Sequence, residues 1–242
     1  MAEQSHKEVV VFAYDYEAGG PNVVENPIVS IGCAVVFVVI PTDPRIPISH
    51  RLVTKRRFDC WDGNVGSFDR KTLAWWQSLD RKQEDGAEPG STIPVSFLEN
   101  FRSSSTEGDA FRAFQAEFAH AYRITKTSGA AFVPVTDCSI YDGSWTAYLS
   151  SKHFPLQRPI PMFGPAPEHE MLDPVDVAVY QAGMVAAKDP KFCIWSDGTK
   201  NAFPAAVANK PDWVADHTHF PDDDSTGIAW RFITALVAQR GL

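Results

Sequence analysis

The sequence has few cysteines, and their spacing excludes the simplest cysteine-based sites. Four cysteines occur among 242 residues, and no two of them form a Cys-x-x-Cys pair. They are Cys33, Cys60, Cys138 and Cys193. Structural zinc sites are usually built from closely spaced cysteines, so this scatter argues against zinc and suits a reducing compartment. We therefore expect an intracellular, cytoplasmic protein.

Long hydrophobic runs and positive charge are also scarce. The longest apolar stretch, residues 28–40, is interrupted by Ser30 and is too short to span a bilayer. Residues 1–6 do not form a signal-peptide pattern. The net charge is −8, so the field of the whole protein repels nucleic acid and anionic membranes. We expect no membrane partner, and capture of any polyanionic substrate through local basic groups or metal ions.

The first predicted strand carries the residues around which the chain is organised. Residues 9–13 form an unbroken apolar run typical of a buried strand, and Asp15 and Glu17 follow at its end. Side chains two apart in a strand point to the same face, so both carboxylates project together. Burying two adjacent anions is costly unless something positive compensates. Either the strand emerges into solvent here, or the two carboxylates bind a divalent cation.

The remaining pattern predicts an α/β protein with a mixed sheet flanked by helices. Gly- and Pro-rich turns separate the first three strands, which indicates an antiparallel meander, and alternating helix and strand follow. We predict strands at 9–17, 28–40, 51–58, 130–136 and 192–195, and helices at 68–76, 106–122, 145–149, 175–187 and 225–240. Residues 1–242 are expected to form one domain, with a loop insertion at about 80–106 and a Pro-rich connection at 153–167.

Two local patterns within these elements have structural explanations. Thr106 and Asp109 have the spacing of a capping box at the start of the second helix. Aromatic residues recur at helical spacing within it, which predicts a core-facing stripe. The stripe consists of Phe111, Phe114, Phe118 and Tyr122.

Further carboxylates follow later elements. Asp142 comes just after the fourth strand, and residues 222–224 are three consecutive aspartates at the start of the last helix. Acids in a first helical turn are favoured by the helix dipole, which is explanation enough for the run taken alone. His219 lies five residues before Asp224, however, and would place a titratable base beside a carboxylate. His217 has the same spacing to Asp222; we favour His219, because Asp224 is closer to the periodic part of the helix.

In these residues the sequence resembles the DEDDh 3′-to-5′ exonucleases, which have the ribonuclease H-like fold. The first family motif is similar to Asp15 and Glu17 followed by the Pro-Ile-Val-Ser-Ile-Gly segment at 27–32. The second is similar to 136–142, and the third, His-x-x-x-x-Asp before a helix, to 219–224. Residues 68–76 are similar to a segment of phage and bacterial members. Asp137 and Ser225 depart from the usual asparagine and alanine.

The resemblance implies a metal-dependent exonuclease that releases nucleoside 5′-monophosphates from the 3′ end of single-stranded RNA or DNA. Two Mg²⁺ or Mn²⁺ ions are expected, since hard cations prefer carboxylate oxygens and a metal pair supports phosphodiester hydrolysis. The expected ligands are Asp15, Glu17, Asp142 and Asp224. His219 is expected to act as general base, because the ordinary pKa of a histidine, about 6.5, suits removal of a proton from water.

Other functions remain open at this stage. A nucleic-acid-binding or scaffolding module on the same fold needs neither all four acids nor a histidine base. An endonuclease would depend on the carboxylates alone. The choice between RNA and DNA, the base preference, the pathway and the oligomeric state are left open, with a homodimer as one option.

Two groups outside the motifs are candidates for contact with substrate. Trp75 and Trp76 are adjacent, and consecutive helical positions lie about 100° apart, so both cannot face the core. Leu73 shares a face with Trp76, which predicts that Trp76 packs inward and that Trp75 is free to stack on a base; the alternative is that both pack. For the basic run at 55–57 we favour a charged sheet edge that blocks aggregation over phosphate contact.

Overall fold

The computed structural model describes residues 6–43, 45–85, 97–136, 139–153, 210–215 and 218–239. Its centre is a sheet of four strands in the order β3-β2-β1-β4. The strands are β1 (His6–Ala18), β2 (Ile28–Pro41), β3 (Ser49–Asp59) and β4 (Ala131–Val135). β1 pairs antiparallel with β2 and β2 antiparallel with β3, whereas β4 pairs parallel to β1. The predicted α/β class and its mixed sheet, three antiparallel strands joined by a parallel one, are confirmed.

Helices flank the sheet. The described helices are α1 (Arg70–Asp85), a 3-10 helix (Phe97–Phe101), α2 (Glu107–Ser128), α3 (Ser139–His153) and α4 (Pro221–Gln239). At the start of α2 the predicted capping box is confirmed, with Thr106 and Asp109 exchanging side-chain to backbone hydrogen bonds. None of the helices in these described ranges has both the length and the apolar character needed to cross a membrane.

Two predicted boundaries differ from the structure. The loop expected from about 80 to 106 is interrupted, because α1 continues to Asp85 and a 3-10 helix spans Phe97–Phe101. That short helix forms because Phe97 and Phe101 are buried apolar residues in an otherwise polar stretch. α3 begins at Ser139, so Asp142 lies in the first turn of a helix and not in the connection before it.

β1 separates two apolar cores, as strand alternation requires. Val9 and Val11 face α4, where they share a buried cluster with Ile228. On the opposite face Phe12 packs against α2, with its ring centroid 5.6 Å from that of Phe114. Alternate residues of β1 therefore belong to the two different cores.

The predicted stripe on α2 ends earlier than expected. Phe111 and Phe114 are buried and Phe118 is half-buried, but Tyr122 is 43% exposed. The ring of Tyr122 packs on the edge of the core against Phe132, at a centroid distance of 5.6 Å. The prediction that Tyr122 belongs to the core is therefore wrong.

α4 is buried on all sides over most of its length, and not on one face only as its pattern predicted. Every residue from 224 to 234 is buried. The sheet covers one side, and the segment 210–215 covers part of another, with the Trp213 ring 6.3 Å from that of Trp230. Several predictions lie outside the described residues: the helix at 175–187, the strand at 192–195 and the Pro-rich connection from 154 onward.

Candidate metal centre

The site begins where the α4-facing side of β1 changes from apolar to acidic. Val9, Val11 and Ala13 line this face, and by alternation Asp15 and Glu17 continue it. Tyr14 and Tyr16 point to the opposite core. Asp15 and Glu17 are both half-buried, in agreement with the predicted same-face pair.

A single glycine allows the start of α4 to reach this acidic end. Gly32 of β2 lies opposite Asp15 in the strand register. A Cβ atom on Gly32 would meet the carbonyl carbon of Pro221 and the amide nitrogen of Asp222, well inside van der Waals contact. The backbone of α4 therefore rests directly on the backbone of β2. This close approach delivers the first turn of α4 to the end of β1.

Three side chains from the two ends of the described chain meet at this place. Glu17, His219 and Asp224 each offer one ligand atom, and these atoms lie within 4.8 Å of one another. Glu17 and His219 are half-buried, whereas Asp224 is 5% exposed. Carboxylate oxygens suit Mg²⁺ and Mn²⁺, and imidazole is compatible with a transition ion, so the donor set fits a divalent cation.

Asp224 is held in place by the backbone that precedes α4. Its carboxylate accepts a hydrogen bond from the amide of Thr218 at 3.3 Å, and its own amide donates to the carbonyl of Phe220 at 2.9 Å. His219 lies between these two residues with a positive φ of 58°, a left-handed conformation that residues with a side chain rarely adopt. Asp224 and His219 are thus positioned by one tight turn.

Aromatic packing fixes both sides of that turn. The Phe220 ring stacks on Phe97 at a centroid distance of 5.3 Å, and the guanidinium of Arg57 lies 4.6 Å from the same ring. The ring of His219 meets that of Trp75 edge to face, with centroids 4.9 Å apart and an interplanar angle of 84°. The segment that carries His219 is therefore packed against α1 and the 3-10 helix.

Asp142 approaches the same region from α3, and its side chain is fully buried. The hydroxyl of Thr136, at the end of β4, donates a hydrogen bond to the Asp142 carboxylate. Burial raises the pKa of the neighbouring Tyr141 hydroxyl well above its ordinary value. Three carboxylates raise it further, those of Glu17, Asp142 and Asp15. These three carboxylates are therefore near enough to one hydroxyl to affect its pKa, although neither Asp15 nor Asp142 belongs to the close group of Glu17, His219 and Asp224.

The acidic run of α4 divides between two roles. Lys55 of β3 forms ion pairs with Asp223 at 2.5 Å and with Asp222 at 3.6 Å, so these two carboxylates face the edge strand. Burial and the charge of Asp223 raise the pKa of Asp222, and Lys55 opposes that rise. Asp224 alone of the run belongs to the group with Glu17 and His219.

The basic run of β3 contacts acidic groups of the protein itself. Besides Lys55, Arg56 lies 3.6 Å from Glu117 and Arg57 lies 3.2 Å from Asp59. β3 is one of the two outer strands of the described sheet, so these side chains do stand at an edge, but they are paired there. Neither of the two roles considered for this run anticipated these pairings.

The prediction for the adjacent tryptophans is confirmed as far as packing is concerned. Trp76 is 1% exposed and its indole nitrogen donates to the carbonyl of Ala18 at 3.2 Å, whereas Trp75 is 40% exposed. His217 and Asp137 lie outside the described residues. Sequence reasoning missed the roles of Gly32, Thr136 and Tyr141. The signal for Gly32 was present, since it is a lone glycine inside a β-branched run.

A separate open pocket of about 390 Å³ lies beside the start of α2. Its lining includes Trp61, Asn64, the serines at 103–105 and Glu107. None of the predicted site residues lines it. The acidic end of β1 and this pocket are therefore different features.

No model of a known protein family matches the sequence, and no curated protein matches it. The fold and the site by themselves define a class, an α/β protein whose mixed sheet ends in a candidate carboxylate–histidine metal centre.

Proposed function

We propose that this protein is a metal-dependent 3′-to-5′ exonuclease of the ribonuclease H-like fold. It hydrolyses single-stranded RNA or DNA from the 3′ end and releases nucleoside 5′-monophosphates. The observation that carries the proposal is the meeting of Glu17, His219 and Asp224 within 4.8 Å, from motifs far apart in the sequence. An antiparallel meander with a parallel fourth strand beside β1 supports the ribonuclease H-like assignment.

Each group at the site has a role in this proposal. The four carboxylates of Asp15, Glu17, Asp142 and Asp224 hold two Mg²⁺ or Mn²⁺ ions, for which the donor set of oxygen atoms is suitable. When bound, the ions supply Lewis-acid stabilisation of the scissile phosphate and acidify the attacking water. A ring nitrogen of His219 accepts the proton that leaves this water. Thr218 and Thr136 orient the carboxylates of Asp224 and Asp142 through the hydrogen bonds described above.

A polyanionic substrate needs local positive charge to approach this site. With a net charge of −8, the protein repels nucleic acid at long range. Lys55 and Arg57 are paired with acidic side chains, so in this proposal the metal ions held by the carboxylates would supply that charge. The exposed ring of Trp75 beside His219 offers a stacking surface for a base of any identity.

The test is digestion of end-labelled single-stranded RNA and DNA with Mg²⁺ or Mn²⁺ present, and with EDTA as the metal-free arm. A 5′ label is expected to give a ladder of shortening products, and a 3′ label to give labelled mononucleotide from the first time point. Fragments of internal length from both labels would instead indicate an endonuclease. Binding of the oligonucleotide without hydrolysis would support the alternative function, a nucleic-acid-binding module.

A matched pair of variants distinguishes the loss of a metal ligand from the loss of one negative charge in the first turn of α4. Asp224→Asn removes a proposed ligand, while Asp223→Asn removes the adjacent carboxylate that pairs with Lys55. We expect Asp224→Asn to lose activity and Asp223→Asn to keep it. Equal loss in both variants would show that the overall charge of the first turn matters, and not a ligand.

A further inference from the structure

We infer that Trp75 is a positioning residue that holds the imidazole of His219 toward Glu17 and Asp224. This inference rests on the proposed function for its catalytic consequence. It adds to the stacking role considered above, because it concerns a contact within the protein. The rings of Trp75 and His219 meet edge to face at 4.9 Å, a distance typical of a favourable aromatic pair.

His219 needs such support because of its backbone. Its φ of 58° places it in the left-handed region, which a residue with a Cβ occupies only when the surroundings enforce it. The neighbouring residues are fixed, Thr218 by its bond to Asp224 and Phe220 by stacking on Phe97. The backbone is thus determined, and the Trp75 contact acts on the remaining freedom, the rotation of the ring.

Trp75 has a fixed position because hydrogen bonds join α1 to the end of β1. The amide of Asp69, which caps α1, donates to the carbonyl of Gly19 at 2.7 Å. The indole of Trp76 donates to the carbonyl of Ala18, the residue directly after Glu17. The position of Trp75 relative to Glu17 is therefore set by two hydrogen bonds, one to the last residue of β1 and one to the residue after it.

A second connection joins the same helix to the His219 turn. The Phe97 ring stacks on Trp76, with centroids 5.9 Å apart, and on Phe220, with centroids 5.3 Å apart. α1 is thus connected to the turn twice, directly through Trp75 to the ring of His219 and indirectly through Phe97 of the 3-10 helix to the ring of Phe220. The imidazole thus contacts the Trp75 ring, and one of its nitrogens lies within 4.8 Å of carboxylate oxygens of Glu17 and Asp224.

The kinetic test compares two oligonucleotides, one with an ordinary 3′ nucleotide and one with an abasic 3′ residue, which has no base to stack. Trp75→Ala is expected to lower kcat roughly tenfold on both, because a misplaced base group slows proton transfer. Trp75→Phe is expected to restore most of kcat, because it retains an aromatic edge. Tyr122→Ala, which removes a similarly exposed ring on α2, is the control and is expected to leave kcat unchanged.

A change in KM limited to the base-bearing oligonucleotide, with kcat unchanged on both, would overturn the inference and leave Trp75 as a stacking surface only. So would an equal loss of kcat in Trp75→Ala and Tyr122→Ala.

A spectroscopic test of the same inference does not depend on enzymatic activity. The ring-proton resonances of His219 are assigned by their disappearance in His219→Ala, in the absence of metal and substrate. Trp75→Ala is expected to weaken the nuclear Overhauser contacts between the His219 ring protons and the side-chain protons of Glu17, because the ring is no longer held toward that carboxylate. Unchanged contacts would overturn the inference. A wild-type protein that cleaves neither oligonucleotide would fail the proposed function, and these contacts would still decide whether Trp75 orders His219.

Discussion

Asp15 shows how a single residue of the site can be tested apart from the fold. It is half-buried and close enough to Tyr141 to raise the pKa of that hydroxyl, together with Glu17 and Asp142. We predict that Asp15→Asn abolishes hydrolysis. Without metal, its stability should equal or exceed that of the wild type, because one of several crowded negative charges is removed. Turnover assays and urea unfolding in EDTA check both parts, and hydrolysis that persists in Mg²⁺ would exclude Asp15 as a ligand.

His219 combines a chemical role with an unusual backbone, and two substitutions separate them. His219→Ala and His219→Gly should each lower turnover by roughly a hundredfold or more, because both lack the base. His219→Gly should be about 1 kcal/mol more stable than His219→Ala, because glycine adopts the positive φ without steric cost. Urea denaturation measures the difference.

The alternative base, His217, provides the control for this prediction. His217→Ala should affect turnover much less than either change at His219. The reverse order would assign the base to His217.

At the scale of elements, the packing of α1 depends on one buried ring, that of Trp76. Trp76 is 1% exposed and anchors the helix to Ala18 and to Phe97. Trp76→Ala is predicted to destabilise the protein by about 3–5 kcal/mol, because it leaves a large cavity and removes the hydrogen bond to the Ala18 carbonyl. Trp75→Ala is predicted to change the melting temperature little and to weaken oligonucleotide binding by a catalytically inactive variant. Thermal melts and fluorescence titration check these two predictions. Similar melting temperatures for the two variants would contradict the different roles assigned to the two tryptophans.

The contact between α4 and β2 depends on Gly32. Gly32→Ala places a methyl group against the backbone of Pro221 and Asp222, which cannot rotate away. We predict destabilisation by about 1–3 kcal/mol or more and a loss of divalent-metal affinity, because Asp224 is displaced from Glu17. Gly66→Ala is the control, since its new methyl group would meet only the side chain of Asn64 and no backbone. Equal metal affinity in Gly32→Ala and wild type would show that this close approach does not position the ligand.

The same elements show what a sequence can and cannot predict. Strands β1 and β2 and the cap at Thr106 were predictable because local apolar runs and side-chain spacing determine them. The pairing of Asp224 with Glu17 was predictable only through motif resemblance. The Gly32 contact and the burial of α4 on all sides depend on which distant segments pack together, and neither leaves a periodic signal. The placement of Asp142 within a helix was missed because a polar turn and a first helical turn have similar composition.

At the scale of the whole molecule, His50 links stability to pH. It lies in β3 with its ring 5.6 Å from that of Trp213 and 5.2 Å from that of Trp230, so it joins the sheet, the segment 210–215 and α4. Burial lowers the pKa of His50 below its ordinary value of 6.5. The unfolded chain therefore binds this proton more readily, and stability is lost as the pH falls below about 6.5.

We predict that His50→Phe loses less of its free energy of unfolding than the wild type when the pH is lowered from about 7.5 to about 5.5. Urea unfolding at the two pH values measures this difference. His120→Gln, a change at an exposed histidine of α2, is expected to keep the wild-type dependence on pH. An identical dependence in His50→Phe and wild type would contradict the prediction.

The position of α4 in the chain has a consequence for protein synthesis. β1 carries Asp15 and Glu17 and leaves the ribosome well before His219 and α4. Until His219 has been synthesised, the growing chain carries the two carboxylates without their histidine. If the protein is the nuclease proposed here, a nascent chain cannot degrade the messenger from which it is being translated. The order of the sequence itself then delays catalysis until α4 has docked on Gly32.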